Sequence, residues 1–196
     1  TATYYDYNGV IQTAAVDEAR NAAFLPDGNG NFVSAGELLL EEARTNLFED
    51  SEGFNASSAW SVSLLRGTAT DNASTAPDGT LTATLLVEDT QSAGRVVTNS
   101  HNFVANQTYT ISCWAKQYTS NRYLGLFFPS NSFGVNQAAV FVITGNGSTT
   151  VSSGSGTSSI EAFPNGWYRC SLTATATITQ SSLARLQLSN NSSNAN

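Results

Sequence analysis

The chain has no methionine, one histidine and two cysteines, and charged side chains make up only 12% of its 196 residues. Each shortage removes a class of chemistry. A Ser-His-Asp triad would have to be built on His101, and no G-x-S-x-G elbow supplies a nucleophile for it. Its neighbours Asn99, Ser100 and Asn102 read instead as a solvated loop. A zinc centre needs three or four convergent Cys, His or carboxylate ligands, which one histidine and two distant cysteines do not supply. P-loop and dinucleotide fingerprints are missing as well. No run of 18 apolar residues is present to form a membrane-spanning helix, and no basic-then-apolar leader opens the sequence. The net charge of −7 argues against a role on nucleic acid, which calls for a basic face. Neither a cofactor nor a metal is expected. A chain that begins at Thr1 and lacks methionine is read as a processed form or a piece of something longer.

Carboxylates are scarce where catalysis would need them. Residues 1–90 hold 14 acidic and 3 basic side chains, whereas residues 91–196 hold one acid, Glu161, and 5 bases. A glycosidase needs only two carboxylates, and the candidates are Glu41, Glu42, Glu49, Asp50 and Glu52, all in or beside the N-terminal segment. They read as the charged rim of a connecting segment. Asp50-Ser51-Glu52 is the place where hard oxygen ligands for Ca²⁺ could gather. Enzymatic activity is not expected.

The polar quota is met by Ser, Thr, Asn and Gly, with 10% aromatics. β-Branched and aromatic side chains fit a pleated surface, so the composition is that of an all-β protein. A chain of this length buries about 70% of its unfolded surface, enough for a sizeable core. Thr3–Tyr7 and Val10–Thr13 flank Asn8-Gly9, a hairpin signal in which both turn residues tolerate positive φ. Residues 17–36 read as loop, punctuated by Pro26-Asp27-Gly28. Residues 37–44 form either a short helix or a buried strand, since periodicity cannot decide over so few positions. The first 45 residues are therefore taken as an extended arm, and 46–196 as a β-sandwich.

In the sandwich, strands are predicted over 60–66, 81–88, 94–99, 108–116, 122–128, 138–144, 167–176 and 183–188. Alternation is clearest in two of them. Tyr109, Ile111, Cys113 and Ala115 share one face of the first, opposite Thr110, Ser112, Trp114 and Lys116. Tyr168, Cys170, Leu172, Ala174 and Ala176 share one face of the second, opposite Trp167, Arg169, Ser171 and Thr173. Both cysteines thus fall on apolar faces and read as thiols packed like small hydrophobes. A disulfide would require the two strands to be neighbours. Residues 145–159 are a Gly/Ser/Thr-rich connection, either linker or a polar strand. Asn-x-Ser/Thr sequons recur at Asn55, Asn72, Asn106, Asn146 and Asn191.

A neutral surface of amides and hydroxyls with exposed rings suits sugar binding. Aromatic rings stack on pyranose faces, and the polar groups bond ring hydroxyls. The candidate platform residues are Tyr123 and Phe127, which flank Gly125 on one strand face, together with Trp114 and Arg169. The same residue types also serve protein interfaces.

Five blocks of sequence carry a resemblance. Gly9-Val10-Ile11-Gln12-Thr13-Ala14-Ala15 and Glu41-Glu42-Ala43-Arg44-Thr45-Asn46-Leu47 precede Phe54 and Trp60. Downstream come Ala76-Pro77-Asp78-Gly79-Thr80, Tyr109-Thr110-Ile111-Ser112 and Asn165-Gly166-Trp167-Tyr168-Arg169-Cys170-Ser171. In this order they resemble a module of bacteriophage virion proteins, found in tail fibres, head fibres and other surface appendages. That module is similar to the jelly-roll carbohydrate-binding modules of polysaccharide-degrading enzymes. The resemblance implies a jelly-roll β-sandwich on the virion surface, non-enzymatic, contacting host cell-surface polysaccharide during adsorption. It also implies partnership with other virion proteins and with copies of itself, a trimer among the options. An ancillary carbohydrate-binding module of a secreted polysaccharide-degrading enzyme is the alternative, and an architectural decoration protein without a ligand is a third. Two departures stand out. Arg20-Asn21-Ala22-Ala23-Phe24 replaces an Arg followed directly by an aromatic, and the closing strands normally expected do not follow the last predicted strand. A sheet short of its closing strands has an edge that another chain could fill.

Overall fold

The computed structural model describes residues 3–14, 23–27, 30–34, 45–48, 50–62, 67–89, 96–119 and 122–189. Four short strands come first: β1 (Thr3–Tyr5), β2 (Ile11–Thr13), β3 (Phe24–Pro26) and β4 (Phe32–Ser34). They form an antiparallel sheet in the order β2-β1-β3-β4. The β1–β2 hairpin sits where expected, but its turn differs. Gly9 adopts φ 75°, while Asn8 is not among the residues with positive φ. The Asp6 carboxylate accepts the backbone N–H groups of Asn8 and Val10 and the Gln12 amide, so a side chain organises the loop instead of a left-handed Asn-Gly pair. Partial burial pushes the Asp6 carboxyl up, but these hydrogen bonds outweigh it and hold the group below its usual value. The stretch read as loop over 17–36 contains β3 and β4, and residues 37–44 lie outside the described residues.

The remaining strands are β5 (Trp60–Ser61), β6 (Gly67–Ser74), β7 (Ala83–Glu88), β8 (Val96–Phe103), β9 (Thr108–Lys116) and β10 (Tyr123–Phe128). After a single helical turn, α1 (Ser130–Phe133), come β11 (Gln137–Val142), β12 (Ser148–Ser153), β13 (Thr157–Ala162), β14 (Trp167–Thr175) and β15 (Gln180–Ser189). A six-stranded sheet runs β12-β11-β10-β15-β8-β5, a three-stranded sheet runs β13-β14-β9, and β6 pairs with β7. All these pairings are antiparallel. The fold is an all-β sandwich.

Its core lies between the six- and three-stranded sheets. From the larger sheet come Val97, Phe103, Leu124, Leu126, Phe128, Phe141 and Leu186; the smaller supplies Ile111, Tyr168, Cys170, Leu172 and Ala174. Each large side chain buried here contributes about 1.5–3 kcal/mol. Phe103 is the hub, edge-on to Tyr109, Phe128 and Phe133 at 4.9, 5.8 and 5.1 Å between centroids. The alternation read in β9 and β14 is the alternation observed, with the apolar faces inward. β10 is buried on both faces. Leu124, Leu126 and Phe128 enter the main core, while Phe127 joins Ala138 and Val140 in a second cluster on the other side of the sheet.

Three polar segments are strands that composition concealed. β6, β12 and β13 are built largely from Thr, Ser, Asn and Gly. The connection at 145–159 is therefore mostly sheet. Its β12–β13 turn is held by Gln137, whose buried side-chain oxygen accepts the N–H groups of Ser155 and Gly156, each at 2.9 Å. Gly154 sits at φ 81°, and a Cβ there would fall 2.2 Å from that oxygen, so only glycine fits.

His101 is a second correction. It lies inside β8, not in a loop, with its ring edge-on to Phe103 at 5.0 Å and Tyr109 at 5.7 Å. Of the polar neighbours that suggested a loop, Ser100 and Asn102 point to the opposite face of the strand from His101, while Asn99 lies on the same face and is buried. Burial among these rings pushes the His101 imidazole below its usual value. The unfolded chain therefore takes up the proton first as pH falls. Stability is expected to be full above about pH 6.5 and to decline below it until the folded-state value is passed. Urea titrations from pH 7.5 to 5 should show this decline, and His101→Phe should flatten it. An unchanged slope in the variant would remove His101 as its source.

Candidate functional site

The outer face of the three-stranded sheet gathers aromatic rings and cations. β9 and β14 pair without a bulge over their full nine residues, which sets Trp114 opposite Arg169 and Lys116 opposite Trp167. On the far side of β14, Glu161 of β13 faces Arg169. Lys116 and Arg169 are exposed and the two tryptophans half-buried, because these positions alternate with the core-facing ones. The Arg169 guanidinium lies 5.9 Å from the Trp114 ring centroid, within cation–π range. Thr108–Thr175 and Thr110–Thr173 hydroxyl contacts of 2.9 and 2.7 Å continue the same face.

Beside this patch runs a groove of about 2150 Å³ along β7 and β9, bounded also by Thr45–Phe48. Leu86, Ile111 and Cys113 form part of its apolar lining, and Tyr109, Trp114 and Tyr118 supply rings. Tyr118 is 74% exposed at its rim. An ion pair between Arg122 and Glu88 joins the ends of β10 and β7 at one end of the groove. The arrangement suits an elongated ligand that offers both apolar faces and hydroxyls.

The four candidate platform residues do not form one site. Trp114 and Arg169 are cross-strand partners in the patch, whereas Tyr123 and Phe127 lie on β10 in the other sheet. Phe127 is 5% exposed, and the Arg185 guanidinium sits 4.6 Å from its ring centroid, so its face is already occupied. Tyr123 packs half-buried against the same cluster. Two groove-side residues were not singled out from sequence. Trp167 needed the register of β9 against β14 to reach the patch, and Tyr118 lies in the loop after β9.

Trp114 has a further role. Its ring meets Phe163 at 4.5 Å and Tyr5 of β1 at 6.4 Å, while Phe32 of β4 meets Phe163 at 5.3 Å. The small N-terminal sheet thus docks on the sandwich through an aromatic cluster next to the patch. Near the groove's other wall, Asp50 is tied to its own loop and to the core. Its carboxylate accepts the Ser57 hydroxyl and its carbonyl accepts the Trp60 indole N–H at 2.7 Å. Among the described residues, no group of three or more His, Cys, Asp or Glu side chains is placed to hold a metal ion. Glu41, Glu42 and Glu49 lie outside the described residues.

Among known proteins, no family model matches this sequence, and no curated protein matches it.

Docking through rings has a measurable consequence. Tyr5→Ala removes an edge-on contact to Trp114 and tilted contacts to Phe163 and Phe32, and is expected to loosen the N-terminal sheet by about 2 kcal/mol. Hydrogen exchange should show lost protection at residues 3–13 with β9 and β14 unchanged. Equal loss throughout would mean the two parts unfold as one unit.

Proposed function

We propose that the protein is a non-enzymatic structural module of a bacteriophage particle, a fibre, spike or decoration element on the virion surface. In this reading the sandwich is a jelly roll of the carbohydrate-binding type and contacts host surface glycans. The observation that carries it is the juxtaposition of Trp114, Trp167, Lys116 and Arg169 on one open sheet face beside the groove. Rings stack on sugar faces, the threonine and serine hydroxyls of β9 and β14 bond sugar hydroxyls, and the two cations favour polysaccharides bearing carboxylate or phosphate groups. The sequence resemblance to virion appendage modules supports the same reading.

Contact with copies of itself and with other virion proteins belongs to the proposal. Residues 1–90 carry a charge balance of −11 and residues 91–196 one of +4, which favours docking of one copy's N-terminal half on another's sandwich. Sedimentation velocity at rising concentration should show a salt-sensitive oligomer, and a monomer at every concentration would remove that part.

Glycan contact is tested on an array of host-type polysaccharides followed by calorimetry. Arg169→Ala and Trp167→Ala should each weaken binding about tenfold, which corresponds to about 1.4 kcal/mol. Arg169 is exposed, so its loss leaves the core intact. Binding that survives both changes would move the site elsewhere. A wild-type protein that binds no glycan would leave the architectural role alone.

A further inference from the structure

The two cysteines occupy directly opposed positions. In the β9–β14 ladder Cys113 pairs with Cys170, and the register is continuous from Trp167↔Lys116 to Thr175↔Thr108. Both side chains point to the core face, since Ile111 and Leu172, two residues away on each strand, are buried in the core with Cys170. Directly opposed residues in an antiparallel pair have Cα atoms about 4.5 or 5.5 Å apart, and both spacings fall within the roughly 4.4–6.8 Å that a disulfide spans. The strands already supply the neighbourhood that a bond requires.

Access is unequal. Cys113 is half-buried and lines the groove beside β9, whereas Cys170 is fully buried behind it. We propose that Cys113 and Cys170 are an oxidation site that closes a cross-strand disulfide on reaction with a small-molecule disulfide, with Cys113 as the attacking thiol. Cys113 loses its proton, attacks the reagent disulfide and forms a mixed disulfide, expelling one thiolate. Cys170, deprotonated in turn, attacks the Cys113 sulfur and expels the second thiolate. The two cysteines lose two electrons between them, and the reagent is reduced to two thiols that carry away both protons. Burial pushes the Cys113 thiol up to about 12 and raises Cys170 as well, so the folded protein reacts slowly.

The bond would close a long loop, from the end of β9 through β10 to β13, and restrict the unfolded chain. Oxidation is expected to raise the melting temperature by about 10 °C.

The test treats reduced protein with oxidised glutathione, once folded and once during refolding from denaturant. Free thiols are then counted in denaturant, and the peptides mapped without reduction. The expected result is loss of both thiols, a Cys113–Cys170 crosslinked peptide and no retained glutathione, in at least the refolding sample. Cys170→Ser should stop at a glutathione adduct on Cys113, and Cys113→Ser should leave Cys170 largely unmodified in the folded protein. Two free thiols in both samples, a stable double adduct, or a crosslink only between chains would overturn the proposal. The wild-type mapping decides even if a serine variant fails to fold.

Discussion

Nine consecutive residues of β9 find partners on β14 without a bulge, and the rest of the molecule is arranged around that register. It sends Ile111, Cys113, Cys170 and Leu172 inward against the six-stranded sheet. It sends Trp114, Lys116, Trp167 and Arg169 outward. A slip of one residue on either strand would exchange the two sets, burying cations and exposing the core, so hydrophobic burial enforces the pairing strongly. The outward face then offers Trp114 to Phe163 and Tyr5, which positions the N-terminal sheet. Core, candidate patch, cysteine pair and docking cluster are four consequences of one alignment.

With so few charges, the fold relies on other ties. Hydroxyls meet across β9 and β14 at Thr108–Thr175 and Thr110–Thr173, and Ser132 of α1 meets Ser182 of β15. The buried Tyr168 hydroxyl donates to the Gly145 carbonyl at 2.6 Å, satisfying the polar end of a core ring. Arg122 pairs with Glu88, while Arg169 and Arg185 each lie over an aromatic ring. Asp71 shows how a single carboxylate can stand in for a hydrogen-bonded turn. It accepts the N–H groups of Asn55 and Ala56 and the Thr84 hydroxyl, and fastens the 50s loop to the β6–β7 hairpin. Partial burial pushes its carboxyl up, yet these donors prevail and hold it below its usual value.

What could be read from sequence depended on how many faces each strand buries. β9 and β14 bury one face, so apolar and polar residues alternate and both strands, faces included, were legible. β10 buries both faces and was visible as an apolar run, but the run hid which of its rings stay open. Phe127 looked like a platform residue and is capped by Arg185. β6, β12 and β13 hardly contribute to the core, and their Thr and Ser residues carry a strand tendency that is indistinguishable from loop composition. His101 was concealed by its neighbours, since a polar residue on either side lies on the outward face of the same strand. The candidate site was half legible for a related reason. Trp114 and Arg169 were each visible on a polar face, but cross-strand register alone brings Trp167 and Lys116 beside them.

Trp114 links the two surfaces that a contact-making module would use. One side of its ring packs in the cluster that holds the N-terminal sheet, and the Arg169 guanidinium lies over the ring within the candidate patch. A rigid aromatic shared in this way cannot shift in one contact without shifting in the other, because ring contacts weaken within a fraction of an ångström. The position of the N-terminal sheet is therefore part of the geometry of the patch. The sheet meets the sandwich there through two rings, Trp114 directly and Phe163 by way of Tyr5 and Phe32. The groove is less constrained, since β7 and β9 belong to separate sheets, and the Arg122–Glu88 pair ties β7 to β10 at one end. If the proposed glycan contact holds, patch and groove would make different demands on a ligand: the patch would select by the placement of rings and charges, and the groove by length and shape.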